Sequence, residues 1–78
     1  MTKGEVVRVR AAGSSDDWCL GTVEIVSGNG KSVGLRLDGL VRAHGGVIAG
    51  FLPLLVDHEA ERVTGLLGEE YEIEVQAI

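Results

Sequence analysis

The sequence predicts a small all-β barrel of five to six short antiparallel strands, and three observations lead to this prediction. Apolar and polar residues alternate with a period of two in several segments, which is the pattern of a strand buried on one face. Tight, glycine-rich turns separate these segments, and the chain of 78 residues contains 12 glycines. A chain this short buries one thin core, so a bent sheet that closes on itself is favoured over a two-sheet sandwich. We expect residues 1–78 to form one domain.

Four segments carry the alternation, and they are residues 4–10, 18–26, 32–37 and 70–77. In the second segment, alternation directs Cys19, Val23 and Ile25 toward the core and leaves Trp18 and Leu20 facing outward. A bulge near the glycine that follows Leu20 would instead turn Trp18 into the core. The sequence does not choose between these two orientations of the tryptophan.

Turn chemistry marks the connections between the strands. Residues 27–30 (Ser-Gly-Asn-Gly) tolerate the positive φ that a tight hairpin requires. Asp38-Gly39 predicts a second, two-residue hairpin between strands at 35–37 and 40–42. Residues 43–46 (Ala-His-Gly-Gly) are predicted to form a flexible connector.

Two later segments each leave alternatives open. Pro53 lies inside the apolar run 47–56, and because proline has no N–H to donate, a strand there must be bulged or lie at an edge. Residues 57–68 fit either a helical turn capped by Asp57 or a hairpin with a return strand. A helix would hold Gly65 in its interior at a cost of about 1 kcal/mol relative to alanine. We therefore favour a turn at 57–61 followed by a strand over 62–67.

The composition excludes several classes of protein. The single cysteine, Cys19, cannot form an intramolecular disulfide, and with two distant histidines it does not supply a cysteine-based zinc site. The first residues show no apolar signal segment, and the longest apolar run, 47–56, is about half of a membrane span. We therefore expect a cytoplasmic protein with no membrane partner.

Charge is distributed unevenly along the chain. The formal net charge is −5, and residues 57–78 carry a net −6 while residues 1–56 carry a net +1. Phosphate binding depends mainly on lysine and arginine, which release counterions from the nucleic acid. The acidic total therefore disfavours a nucleic-acid partner.

A family resemblance covers residues 16–39. A tryptophan opens the segment 18–26, an alternating run leads to the glycine-rich turn at 28–30, and the strand at 33–37 ends in Asp38-Gly39. This order resembles that of Tudor-type SH3-like barrels. The resemblance implies a small SH3-like barrel fold for this chain.

The same resemblance does not extend to the ligand site of Tudor modules. Modules that bind methylated lysine or arginine share a cage of aromatic rings, which attracts the cation. This chain has only three aromatic residues, and the positions around Leu37 and Leu40 are aliphatic. Only Trp18 corresponds to one wall of such a cage. The resemblance therefore supports the fold and not methyl-mark binding.

An outward Trp18 and Leu20 would form an exposed apolar patch, which often marks an interface. Arg8, Arg10 and Arg36 could share an outer face and bind phosphate or a carboxylate-rich partner. The alternative, which we favour for the arginines, is a solvated surface paired with Glu24 or the acidic C-terminal strand. The candidate partner-binding residues are Arg8, Arg10, Trp18, Leu20 and Arg36.

No catalytic residue, metal ligand or cofactor is expected. His58 lies among Asp57, Glu59 and Glu61, and His44 would be needed to complete a metal site. Adjacent residues of a turn point in different directions, so a solvated acidic turn is the favoured interpretation. Cys19 is interpreted as a core residue, because no local motif places a base beside it.

The leading hypothesis is a non-enzymatic protein-interaction or assembly module that self-associates as a homo-oligomer. Residues 47–56 and the C-terminal apolar stripe (Tyr71, Ile73, Val75 and Ile78) offer more apolar surface than a thin barrel covers. Contact between the acidic strand 70–74 of one copy and Arg8 and Arg10 of another would add an electrostatic contribution to self-association. One alternative is a nucleic-acid-binding barrel that uses Trp18 as a stacking platform beside its arginines and Lys31. The other is a small metal-dependent protein around His58.

Overall fold

The computed structural model describes residues 1–15, 17–43 and 46–76, and within them the chain forms six antiparallel strands. Each strand pairs with the next, and the last pairs with the first, so the sheet closes into a barrel. This confirms the prediction of an all-β, small SH3-like barrel. No helix in these described residues is long and apolar enough to cross a membrane. The strands are β1 (Val6–Ala11), β2 (Cys19–Val26), β3 (Ser32–Ala43), β4 (Gly46–Asp57), β5 (Arg62–Thr64) and β6 (Glu70–Val75).

Every second side chain along a strand points into the barrel and fills its interior. Val7 and Val9 of β1 are fully buried, while Arg8 between them faces out, as period-two alternation requires. Cys19 is part of this core, as its position in the alternation predicted. The buried core residues are Val7, Val9, Cys19, Val23, Val33, Leu35, Leu37, Val41, Leu52, Leu54 and Tyr71.

A β-bulge in β2 reverses one predicted orientation. Val23 pairs with Leu35, but the next pair joins Ile25 to Gly34, so β2 contains one extra residue at this point. The extra residue shifts the alternation, and Ile25 is 58% exposed while Val26 packs against the core. The prediction that Ile25 faces inward was therefore wrong.

A second irregularity replaces the hairpin predicted at Asp38-Gly39, and that prediction was also wrong. β3 runs through both residues without reversing. Its partners change from Arg36↔Phe51 to Leu40↔Ala49, so four steps along β3 match two steps along β4. Asp38 and Gly39 therefore lie in an enlarged bulge of β3 opposite Gly50. The chain reverses after Ala43 instead, and the connector residues His44 and Gly45 lie outside the described residues, as do Asp16, Ala77 and Ile78.

Pro53 lies within β4 where that strand has only one neighbour. It pairs with Gly34 of β3, whereas β5 pairs only with the segment 55–57 of β4. Of the two alternatives predicted from the missing N–H, a bulge or an edge position, the edge position is present.

Residues 58–61 form a turn that leads into a strand, and not a helix, as predicted, although Asp57 belongs to β4 and not to the turn. The strand ends at Thr64, three residues before the predicted end. The Gly65 N–H donates to the Glu69 carbonyl at 2.7 Å, and the Gly68 N–H donates to the Gly65 carbonyl at 3.1 Å. Gly68 has a φ of 87°, which closes this second turn before β6.

Candidate functional site

Trp18 lies just before β2 on the outside of the barrel, beside two arginines of β1. The guanidinium carbons of Arg8 and Arg10 lie 4.5 Å and 4.2 Å from the tryptophan ring centroid. A guanidinium at this distance over an indole is a cation–π contact, which stabilises by about 0.5–1 kcal/mol at an exposed site. Trp18 is half-buried as a result. Of the two orientations left open by the sequence, the outward one is present.

Both arginines are also paired with the acidic strand. Register places Arg8 opposite Glu74 and Arg10 opposite Glu72. The Arg10 Nε donates to Glu72 Oε2 at 2.7 Å, and the Arg8 Nε donates to Glu74 Oε2 at 2.9 Å. The carboxylates that were expected to meet another copy's arginines therefore pair with arginines of their own chain.

Arg36 is on the outer face of β3, next to β2, and it too has a carboxylate partner. Its Nη1 lies 3.5 Å from Glu24 Oε1. All three candidate arginines thus have the intramolecular partners that the solvated-surface interpretation predicted. Exposed pairs of this kind contribute little to stability, typically below about 1 kcal/mol.

A groove of about 520 Å³ opens beside Trp18 at one end of the barrel. Trp18 and Leu20 form one part of its lining, and Asp38 and Leu40 from the β3 bulge form another. Sequence reasoning missed Asp38 and Leu40 as surface partners of Trp18, because it placed Asp38-Gly39 in a hairpin. A bulge depends on the neighbouring strand, so no local signal would have located them.

His58 and the acids around it make turn contacts. The His58 Nε2 lies 3.1 Å from the Gly30 carbonyl oxygen, which joins two turns at the same end of the barrel. Asp57 accepts hydrogen bonds from the N–H groups of Glu59 and Ala60, both at 3.1 Å. Within residues 1–15, 17–43 and 46–76, no three His, Cys, Asp or Glu residues form a group that could hold a metal ion. The remaining histidine, His44, lies outside the described residues.

The buried core residue Tyr71 carries a hydroxyl whose pKa is clearly raised. Burial, followed by the negative charge of Glu69 and its hydrogen bond to the hydroxyl, raises the pKa of Tyr71 to about 12. The Tyr71 hydroxyl donates to Glu69 Oε1 at 3.4 Å. This contact lies beside the turn that precedes β6.

An uncharged part of the surface runs along β4. Val47, Phe51 and Leu55 face outward and are 59%, 43% and 44% exposed. We call these three side chains the β4 apolar surface. Residues 46–56 contain no charged side chain. The exposed Ile25 extends this surface across the sheet, because it pairs with a glycine of β3 that is in turn paired with β4.

Phe51 is held in this surface by contact with Gly34. A Cβ atom at Gly34 would overlap Phe51 Cζ and would lie 2.9 Å from Cε1, so the ring lies directly over the glycine. The ring therefore covers backbone on the outside of the sheet and contributes nothing to the interior. This arrangement keeps an aromatic side chain displayed on the outer face.

Comparison with known proteins adds no identity to these surfaces. No family model matches the chain, and neither the curated proteins nor the solved structures yield a match. The functional conclusion therefore depends on the geometry of the surfaces described above.

Proposed function

We propose that this protein is a non-enzymatic interaction and assembly module that associates with itself through the β4 apolar surface. The observation that carries this proposal is the exposure of Val47, Phe51 and Leu55 on a strand segment without charge. Large exposed apolar patches are uncommon on monomeric proteins and often mark interaction sites.

The two alternative functions receive less support. Arg8, Arg10 and Arg36 each have a carboxylate partner, so a phosphate would have to displace an existing ion pair. Two guanidinium groups already lie over the ring of Trp18, where a base would need to stack. His58 makes a hydrogen bond to a turn carbonyl, which accounts for its position without a metal.

The test is the solution mass, measured by light scattering after size exclusion in about 50 mM and 500 mM salt. We expect an oligomer in both, because apolar burial is not screened and the arginines are paired within the chain. Replacing Val47 and Phe51 together by serine should yield a monomer. Val6→Ser is the matched control, since Val6 is also exposed on an outer strand face. A wild-type monomer at high protein concentration would refute the proposal.

A further inference from the structure

One side of β4 has no partner strand over most of its length. β3 pairs with β4 from residue 46 to residue 55, whereas β5 pairs only with residues 55–57. Among the described residues, β4 contacts no strand other than these two. We call the unpaired side of residues 46–54 the open edge.

The direction of the backbone groups identifies which residues present donors at the open edge. The Val56 N–H donates to the Lys31 carbonyl at 2.8 Å, which directs it toward the β3 side. Successive residues of a strand direct their N–H groups to opposite sides. Ile48 packs against the core, as Leu52 does, and Gly46 pairs with Ala43, so the same alternation holds on both sides of Gly50, whose φ of 83° departs from extended strand geometry. The open-edge donors are therefore those of Val47, Ala49 and Phe51.

Pro53 lies on the same side and cannot donate, so it limits pairing to the segment 47–51. Natural edge strands are usually protected from association by charges, proline or short length. Here Pro53 protects one end, and Gly50, with a φ of 83°, bends the backbone between Ala49 and Phe51, but the segment 47–51 contains no charge. An uncharged edge with so little protection is a template for another strand.

We propose that this edge pairs antiparallel with the same edge of a second copy, around a two-fold axis at Ala49. This rests on the proposed self-association and specifies its geometry. A two-fold interface joins the same patch on both copies, and an uncharged strand meets itself without repulsion. With the axis at Ala49, Phe51 of each copy lies opposite Val47 of the other copy, so the same pair occurs two times in the dimer. An aromatic ring opposite a β-branched side chain is a favourable cross-strand pair.

A foreign strand is the less suitable occupant. Charged and polar groups that reject a wrong sequence are one common source of selectivity for a foreign partner, and the segment 47–51 offers none. The centred register uses all three donors of each copy and leaves Pro53 outside the paired segment. The small side chain of Ala49 allows the two strands to approach at the axis.

The test is oxidative cross-linking of Ala49→Cys. Residues that exchange both backbone hydrogen bonds have Cα atoms about 5.5 Å apart, which a disulfide spans. The native Cys19 is buried and does not compete. We expect Ala49→Cys to form a covalent dimer at least about tenfold faster than the control Thr22→Cys, which lies on β2 with strands on both sides.

A mixed experiment tests the register. A mixture of the Val47→Cys protein and the Phe51→Cys protein should yield a covalent heterodimer. Each of the two proteins alone should yield little covalent dimer. Wild-type protein that is monomeric by light scattering would overturn both this inference and the proposed function. An oligomer in which Ala49→Cys reacts no faster than Thr22→Cys would overturn strand pairing alone. Association would then occur through the outer face of the sheet.

Discussion

The effect of Gly34→Ala on the free energy of unfolding should have opposite signs in the presence and in the absence of the Phe51 ring. In the wild-type chain the new Cβ occupies the space of the Phe51 ring, so the ring must rotate away. Gly34 has no positive φ, and the backbone itself accepts alanine. In a Phe51→Ala background the new Cβ has space, and only the conformational effect of the substitution remains.

The magnitude follows from the part of the ring that is covered. Complete burial of a phenylalanine side chain stabilises by about 1.5–3 kcal/mol. Phe51 is 43% exposed, so rotating it into solvent loses about 1 kcal/mol. Alanine restricts the unfolded chain and recovers about 0.5 kcal/mol. Gly34→Ala should therefore destabilise the wild type by about 0.5 kcal/mol and stabilise Phe51→Ala by about 0.5 kcal/mol, a coupling of about 1 kcal/mol.

Urea denaturation of the four proteins at one fixed concentration measures this coupling free energy. The concentration must be fixed because self-association contributes to apparent stability. Gly28→Ala is the control, since a Cβ at this position would have no neighbour within 4 Å and the φ of Gly28 is not positive. The reasoning is refuted if Gly34→Ala has the same effect with and without the Phe51 ring.

Three further predictions concern the outer face, the core and pH. Arg10→Gln should shift the fluorescence of Trp18 to longer wavelength and cost about 0.5–1 kcal/mol, because it removes a cation–π contact and an ion pair. Leu35→Ala, at a fully buried position, should cost about 2–5 kcal/mol in urea denaturation, while Leu67→Ala, 93% exposed, should stay within about 0.5 kcal/mol. The pKa of Tyr71 is raised to about 12 in the folded chain, above its unfolded value of 10.0, so the unfolded state loses its proton first and stability should fall as pH rises between these values. Tyr71 is the only tyrosine, so tyrosinate absorbance reports its titration directly, and Tyr71→Phe should remove the pH dependence in that window.

Alternation of side chains predicted the strands well and their irregularities poorly. The segments 4–10, 18–26 and 70–77 each contain a strand of the barrel, because burial on one face imposes a period of two. Ile25 was placed on the wrong face since a bulge next to it resets the alternation. A bulge arises from the match between two strands, which a single stretch of sequence does not encode.

The alternation of side chains along the strands also made part of the candidate site predictable. Charge alternation on neighbouring strands indicated that Arg8 and Arg10 would find carboxylates within the chain. The position of Trp18 beside them required the register of β1 with β2. The groove between Trp18 and Leu40 required the second bulge, and the open edge required knowing that β5 has only three residues.

The shortness of β5 also determines how the barrel fails. Three residue pairs join β5 to β4 and two join it to β6. Each of these two strand interfaces has fewer backbone pairs than any other strand interface of the barrel. Local opening is cheapest where few contacts must break, and amide hydrogens of β5 should exchange before those of β3. Detachment of β5 would lengthen the unpaired side of β4 through Asp57 and convert a barrel into an open sheet. In this chain, the step that begins unfolding is therefore also the step that exposes more strand for aggregation.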